Sequence, residues 1–372
     1  MQPVTKLLDT PVKLIGAVTA LISLVLGANQ VTKVFSEAGE RRRHVAELQR
    51  VASEQQKSAD YPSAWASLNE ASKAADEGGS YFANVVGHLD EQRLAVRTAQ
   101  EDLAMAWLRD VRVPSGSKFS DVVDPLAAVV TRGIVSATGV RKADLLGHLG
   151  WAYFLKSRDG SNAGKPEDSY QQALAIDPMN PFAHAHWGHW IVWMRGRIED
   201  ANVHFAAAVA SGRERPYVRR LQFAAYRLYG STAADSALLH AVDEMRRNNE
   251  PIDPSTRRGV FSIYYSAFNS EEQLRRVLGT LPPVEHIATI RALFFGPDFD
   301  QARVPMRDAV VALLQEDAGL RDESLATWRS VRAELPRGGD VRVGDRADAA
   351  IARLSRGNGS SSPITTPARP RR

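Results

Sequence analysis

Three observations predict an all-α fold, organised as a solenoid of helical hairpins behind a single N-terminal membrane helix. The composition is rich in Ala, Leu and Arg with few runs of β-branched residues, which favours helix over strand. Residues 144–212 read as two successive helical hairpins joined by Asp177-Pro178-Met179-Asn180-Pro181. Pro178 and Pro181 cannot continue a helix interior, so they end one hairpin and open the next. The uncharged, almost wholly apolar segment Leu14 to Ala28 stands apart from everything downstream. A chain of 372 residues is long enough for two ordinary domains or one extended solenoid.

The spacing within 144–212 assigns packing roles. The first hairpin carries Leu146, Leu149, Gly150 and Tyr153 on one helix, then Tyr170 and Ala173 on the next. The second carries Trp187, Gly188 and Gly196, then Ala201, Phe205 and Ala208. Small Gly150 and Ala173, or Gly188 and Ala208, let the two helices of a hairpin approach closely, and Tyr153, Tyr170, Trp187 and Phe205 fill the space between them. One hairpin cannot bury its apolar face alone, so stacked neighbours must supply the rest of the core. This pattern resembles the tetratricopeptide repeat (TPR) family, in which a bulky residue, Leu-Gly and Tyr are followed by Ala, Phe, Ala and a closing Pro, here Pro178. The resemblance implies a groove lined by the first helix of each hairpin, and a scaffold that binds a protein or peptide. One departure is visible: the turn from Lys156 to Pro166 is longer than the family turn, so a loop bulges there.

Signatures weaken away from this segment. Within a helical region 35–140, residues 44–76 make one further hairpin. Val45, Leu48, Val51 and Ala52 lie on its first helix, and Tyr61, Ala64, Leu68 and Ala71 repeat the second-helix spacing. Ala52 stands where the pattern has Gly. Residues 81–111 read as one long helix or two, and Phe119 to Thr138 as a helix outside the repeat pattern. The solenoid is expected to span 141–355. It continues through Tyr217 to Tyr229 with Thr232 to Arg247, Ser255 to Phe268 with Ser270 to Leu278, and Glu285 to Phe295. Val304 to Asp317 with Asp322 to Glu334 form a last degenerate repeat with Trp328 in the large aromatic slot, and Asp345 to Leu354 a polar cap. Residues 356–372, rich in Gly, Ser, Pro and Arg, have the composition of a disordered basic tail.

Residues 1–10 read as a short tail and 11–34 as a transmembrane anchor. Leu14 to Ala28 is shorter than the roughly 20 residues that span a bilayer, but extension through Val31 and Thr32 reaches that length with Lys13 and Lys33 at the ends. Lys33, Arg41, Arg42 and Arg43 outnumber Lys6 and Lys13, which places the large C-terminal part in the cytoplasm of a bacterial-type inner membrane. Gly16, Ala20, Ser23 and Gly27 share one stripe, a face through which two such helices could pair in a homodimer. Two other readings of the segment are a signal peptide cut after Gly27 or Ala28, which would make the protein an exported periplasmic binding or assembly factor, and a buried or interfacial helix.

Composition narrows the chemistry. No cysteine is present, which removes disulfides, thiolate metal sites and a Cys nucleophile. Arg356, Arg369, Arg371 and Arg372 equal the whole formal excess of +4, so the rest of the chain is neutral and a nucleic-acid partner is not expected. The pairs Arg219-Arg220, Arg246-Arg247 and Arg257-Arg258 read as solvated helix faces. No phosphate-cradling loop, nucleophile elbow or kinase signature appears, so no cofactor and no enzyme are expected. An unfamiliar active site within 81–140 is the one catalytic alternative. His184, His186 and His189 invite a zinc reading, but His184 and His186 lie about 200° apart on a helix and no HExxH arrangement accompanies them. His186, His189, Trp190 and Trp193 lie on a first helix outside the glycine and alanine slots, and aromatic residues supply much of interface energy. They are the candidate partner-binding residues; intra-solenoid packing is the competing role.

Overall fold

The computed structural model describes residues 33, 36–77, 89–160, 164–229, 231–268, 270–335 and 340–356. Gly16, Ala20, Ser23 and Gly27, with nearly all of the expected anchor and the tail beyond Arg356, lie outside these residues. No helix among the described residues is long and apolar enough to cross a membrane.

The described residues are helical, with no strand among them. They fall into two compact units, one ending at Trp187 and the other beginning at Gly188. In the first unit α1 covers 36–57, followed by α2 (Tyr61–Asp76), α3 (Leu89–Arg109), α4 (Phe119–Ser136), α5 (Gly139–Ser157), α6 (Pro166–Ile176) and the start of α7 (Pro181–Arg195). The second unit holds the rest of α7, then α8 (Ile198–Ala210), α9 (Arg215–Tyr229), α10 (Thr232–Arg247), α11 (Pro254–Ala267), α12 (Glu271–Leu278) and α13 (Pro283–Phe294). A single 3-10 turn, Gln301–Arg303, precedes α14 (Val304–Asp317), α15 (Arg321–Glu334) and α16 (Val341–Ser355).

Local chemistry sets these boundaries. The Asp60 carboxylate accepts from Ser63 N at 3.4 Å, Ser231 Oγ from Ala234 N at 3.2 Å and the Asp253 carboxylate from Ser255 N at 2.8 Å, each satisfying a first-turn donor that has no partner within its helix. Pro166, Pro181, Pro254 and Pro283 each open a helix, where a missing N–H costs nothing. Gly212 and Gly319 follow α8 and α14 with φ of 73° and 75°, the left-handed region that closes helices without a Cβ penalty.

One contact recurs between paired helices. In α6, Pro166, Tyr170 and Ala173 are buried at i, i+4 and i+7; a Cβ on Gly150 of α5 would lie 2.4 Å from Tyr170 Cε1 and 3.0 Å from Pro166 O. In α8, Ala201, Phe205 and Ala208 are buried at the same spacing, and a Cβ on Gly188 would lie 3.1 Å from Phe205 Cε2 and 3.2 Å from Ala201 O. The spacing returns in Ala64, Leu68 and Ala71, with Ala52 in the glycine slot of the same cluster. It returns again in Ala234, Leu238 and Ala241, and in Ser324, Trp328 and Val331, all buried. In the last case Ser324 Oγ donates to Ala312 O at 2.8 Å, and Trp328 Nε1 to Glu316 Oε1 at 2.8 Å. Thus Trp328 fills the large slot as its position suggested. Tyr153 differs: it is only half-buried, its ring covered by Gly164 in the long turn.

The stretch without repeat signatures packs through an apolar face, with Val123, Leu126, Ala127, Val129 and Val130 of α4 buried, and one buried ion pair is set into it. α4 lies against both α3 and α5. Gly133 of α4 leaves room for Glu101, whose Cδ would sit 2.7 Å from a Cβ at that position. The buried Glu101 carboxylate accepts at Oε2 from both Arg141 Nη2 at 2.6 Å and Nε at 3.2 Å, charge-assisted bonds that offset the cost of removing a carboxylate from water.

These contacts separate the two glycines. Gly150→Ala forces a methyl group into a fully buried ring and a backbone carbonyl, and is expected to cost about 2–3 kcal/mol. Gly188→Ala meets a nearest contact of 3.1 Å instead of 2.4 Å and is expected to cost about 1 kcal/mol or less, part of it returned by the better helix propensity of Ala. Urea-unfolding midpoints of the two variants check the order.

Candidate partner-binding surface

Helix α7 carries the four residues singled out by the sequence, and Asn180 fixes where it starts. Asn180 Oδ1 accepts from Ala183 N at 2.9 Å, while Nδ2 donates to Asp144 Oδ1 of α5 at 2.6 Å. Gly147 of α5 permits close approach, since a Cβ there would lie 3.0 Å from Ala183 N.

The helix then sinks into the protein on all sides. His186 is fully buried; its Nδ1 lies 3.0 Å from Gly147 O, so that nitrogen carries the proton. Its ring stacks on Trp151 at 4.7 Å and meets the edge of His148 at 5.3 Å. Trp187 is half-buried and stacks on Tyr170 at 6.0 Å. His189 and Trp190 are 7 % and 6 % exposed, His189 Nδ1 standing 3.5 Å from Leu221 O and the Arg195 guanidinium 4.6 Å above the Trp190 ring. Only Trp193, 39 % exposed, offers its ring to solvent, beside Met194 at 54 %. Three of the four candidate residues are therefore core, because a helix apolar nearly all round is buried nearly all round. Trp193 alone keeps the geometry of a contact residue.

His148 is the most perturbed group nearby. Burial, together with the positive charge of Arg109, pushes its imidazole down to about 3, against the hydrogen bond to Asp144 O. Nδ1 lies 2.7 Å from that carbonyl, and Nε2 is buried with no hydrogen-bond partner. Among the described residues no group of three His, Asp or Glu could hold a metal ion.

The basic pairs divide. Arg219 is 3 % exposed, with Nε 3.1 Å from Glu250, Nη2 3.0 Å from Glu244 and Nη1 donating to Gln222 at 3.1 Å. Arg246 pairs with Asp243 at 2.9 Å and with Glu285, and Arg247 with Asp243 at 3.1 Å. Arg219 and Arg246 are thus internal ties, whereas Arg220 and Arg247 stay exposed as the solvated members of their pairs. Arg257 and Arg258 are exposed.

Two clefts flank α11. One, of about 460 Å³, is lined by Phe261, Tyr265, Arg303, Met306, Leu335 and Val343. The other, of about 470 Å³, runs between α11 and residues of α9, α10 and α12, with Arg227, Arg258, Ser262, Ser266 and Arg276 on its walls. Of these residues the sequence singles out only Arg258, as half of a solvated basic pair. The available signal was the polar stripe Arg258, Ser262, Ser266 at i, i+4 and i+8 on the exposed face of α11.

The chain matches no protein-family model, and no curated protein matches it. The TPR resemblance accordingly rests on this chain's own residues and contacts.

Trp190→Ala empties a buried site and is expected to cost roughly 3 kcal/mol, so it reports on stability and not on binding. Trp193→Ala should change stability by no more than about 0.5 kcal/mol; chemical denaturation of both variants separates them. A pH effect follows from His148. Its proton affinity is depressed in the fold from 6.5 to about 3, so the unfolded chain takes up the proton first as pH falls. Its contribution is full above the unfolded value and declines below it, by up to about 1.4 kcal/mol per pH unit. His286, pushed down to about 4 by burial, acts in the same direction. The stability of His148→Leu, measured by urea unfolding across this range, should fall less steeply on acidification than that of the parent.

Proposed function

We propose that this protein is a TPR-like scaffold, held at a membrane by residues 11–34, that binds a protein or peptide partner through its helical hairpins. The observation that carries this reading is the recurring buried triplet facing a small residue, clearest where Tyr170 meets Gly150 and Phe205 meets Gly188. Stacked repeats of this kind form extended surfaces whose loops and first helices vary independently of the core. Trp193 and Met194, exposed at the end of α7, supply an apolar contact of the kind that anchors interfaces. Anchoring would concentrate the scaffold and its partner in the same thin layer, raising their effective concentration without new contacts.

The test uses the full chain in cells, with a reporter fused after Arg372 and a photo-crosslinking residue in place of Trp193. The expected result is an uncleaved N-terminus, a membrane-bound protein, a cytoplasmic reporter and a discrete crosslinked partner. A protein cut after Gly27 or Ala28, or a reporter outside the cytoplasm, overturns the anchored orientation. Absence of crosslinks above those from the exposed control position Val135 overturns Trp193 as a contact.

A further inference from the structure

The cleft between α11 and the helices of the neighbouring hairpin carries positive charge from two exposed arginines that no carboxylate among the described residues pairs. Arg227 and Arg258 both line it, and neither guanidinium has an ion-pair or hydrogen-bond partner among the described residues. In the same unit Arg219, Arg246, Arg275 and Arg303 each hold a carboxylate. Arg276, the third arginine of the cleft, pairs with Glu272 at i, i+4 on an exposed surface, a weak pair that a ligand can compete with. The opposing charge inside is Asp235, half-buried and made harder to ionise by that burial.

The floor and the length of the cleft constrain the ligand. Gly259 sits mid-helix in α11, where glycine is unfavourable by helix propensity. Its neighbours do not demand it: an added Cβ would lie 3.5 Å from Arg227 Cδ, an ordinary contact. Glycine there leaves the floor open beneath the Arg227 stem. Arg258, Ser262 and Ser266 line the same wall over two helical turns, about 12 Å. That length matches roughly four residues of extended peptide; Ser262 Oγ donates to Arg258 O at 2.9 Å and can only accept from a peptide, and the Ser266 hydroxyl lies on the same wall. The buried Tyr226, Leu238 and Val277 close the bottom and expose no aromatic face for a base to stack on.

The geometry points to this cleft as a docking site for an acidic peptide segment, bound extended, with carboxylates on Arg227 and Arg258. The inference rests on the scaffold reading and names the chemistry of its partner. Arginine forks bind carboxylates in two-point geometry, and the two free guanidinium groups supply the charge complementarity that selects such a segment.

Fluorescence anisotropy of the full chain in detergent, with a fluorescein-labelled hexapeptide alternating Glu and Ser, tests the assignment. The expected result is salt-sensitive binding that is lost when Gln replaces Glu in the peptide. Arg227→Gln and Arg258→Gln should each weaken binding roughly threefold to fivefold, and Arg257→Gln, an exposed arginine outside the cleft, should leave it unchanged. Gly259→Ala should weaken binding while the protein stays folded, which circular dichroism verifies. No binding, equal binding by the Arg227→Gln/Arg258→Gln double variant, or displacement by inorganic phosphate alone overturns the proposal. Tighter binding of a single-stranded oligonucleotide through the same arginines also overturns it. If the double variant still crosslinks its partner from Trp193 with undiminished yield, this site falls while the scaffold reading stands.

Discussion

Everything in this fold depends on how near two antiparallel helices can come before their side chains collide. At Gly150 the answer is set by a missing methyl group: the Tyr170 ring occupies the space where a Cβ would stand, with Pro166 O just beyond it. Gly188, Phe205 and Ala201 repeat the arrangement. Where the slot holds alanine, as at Ala52 and Ala312, the opposite helix answers with Leu68 or with Ser324 and Trp328. Close approach of this kind maximises dispersion contacts along a pair and leaves each pair with one more apolar face to cover. Stacking is the consequence of that remaining face, not an independent feature.

Stacking in turn decides what polar chemistry the inner helices can hold. α5 and α7 are enclosed so fully that their polar side chains turn to main-chain carbonyls: His148 to Asp144 O, His186 to Gly147 O, and Trp151 Nε1 to Leu108 O at 2.9 Å. His148 in that setting behaves as a neutral aromatic with one donor. Its value lies in filling volume while satisfying a carbonyl, and a charged ring would be expelled. In the second unit the same need is met by ions, with Arg219 between Glu244 and Glu250, and Asp243 between Arg246 and Arg247. Each such group is paired, which is the condition under which a buried charge is tolerated.

The hairpins over 144–212 were legible because glycine, aromatic and proline positions each restrict the backbone or the packing strongly. The helix Phe119–Ser136 was legible as a helix but not in its packing, since Gly133 matters only once Glu101, from the preceding helix, is brought beside it and paired with Arg141. The candidate surface was misjudged for a related reason. Reading His186, His189 and Trp190 as groove residues assumes that a helix surface not used within its own hairpin faces solvent, and in α7 that surface is buried as well. The cleft beside α11 escaped notice because Arg227 and Arg258 belong to different hairpins, and nothing in the local pattern of either pairs them.

The long turn after α5 has a role beyond connecting two helices. At its start, the Asp159 carboxylate accepts from Phe119 N at 3.0 Å and from Ser120 N at 2.8 Å, so it caps α4 from outside that helix's own sequence neighbourhood. The Arg158 guanidinium lies 4.5 Å over the Phe119 ring at the same junction. The first amides of α4 are thus sheltered only while the following hairpin is in place. Local fraying at this turn would release the start of α4 together with it, joining the two into one cooperative opening unit for amide hydrogen exchange. An insertion that looks like decoration on a repeat is, for this chain, a rivet between neighbours.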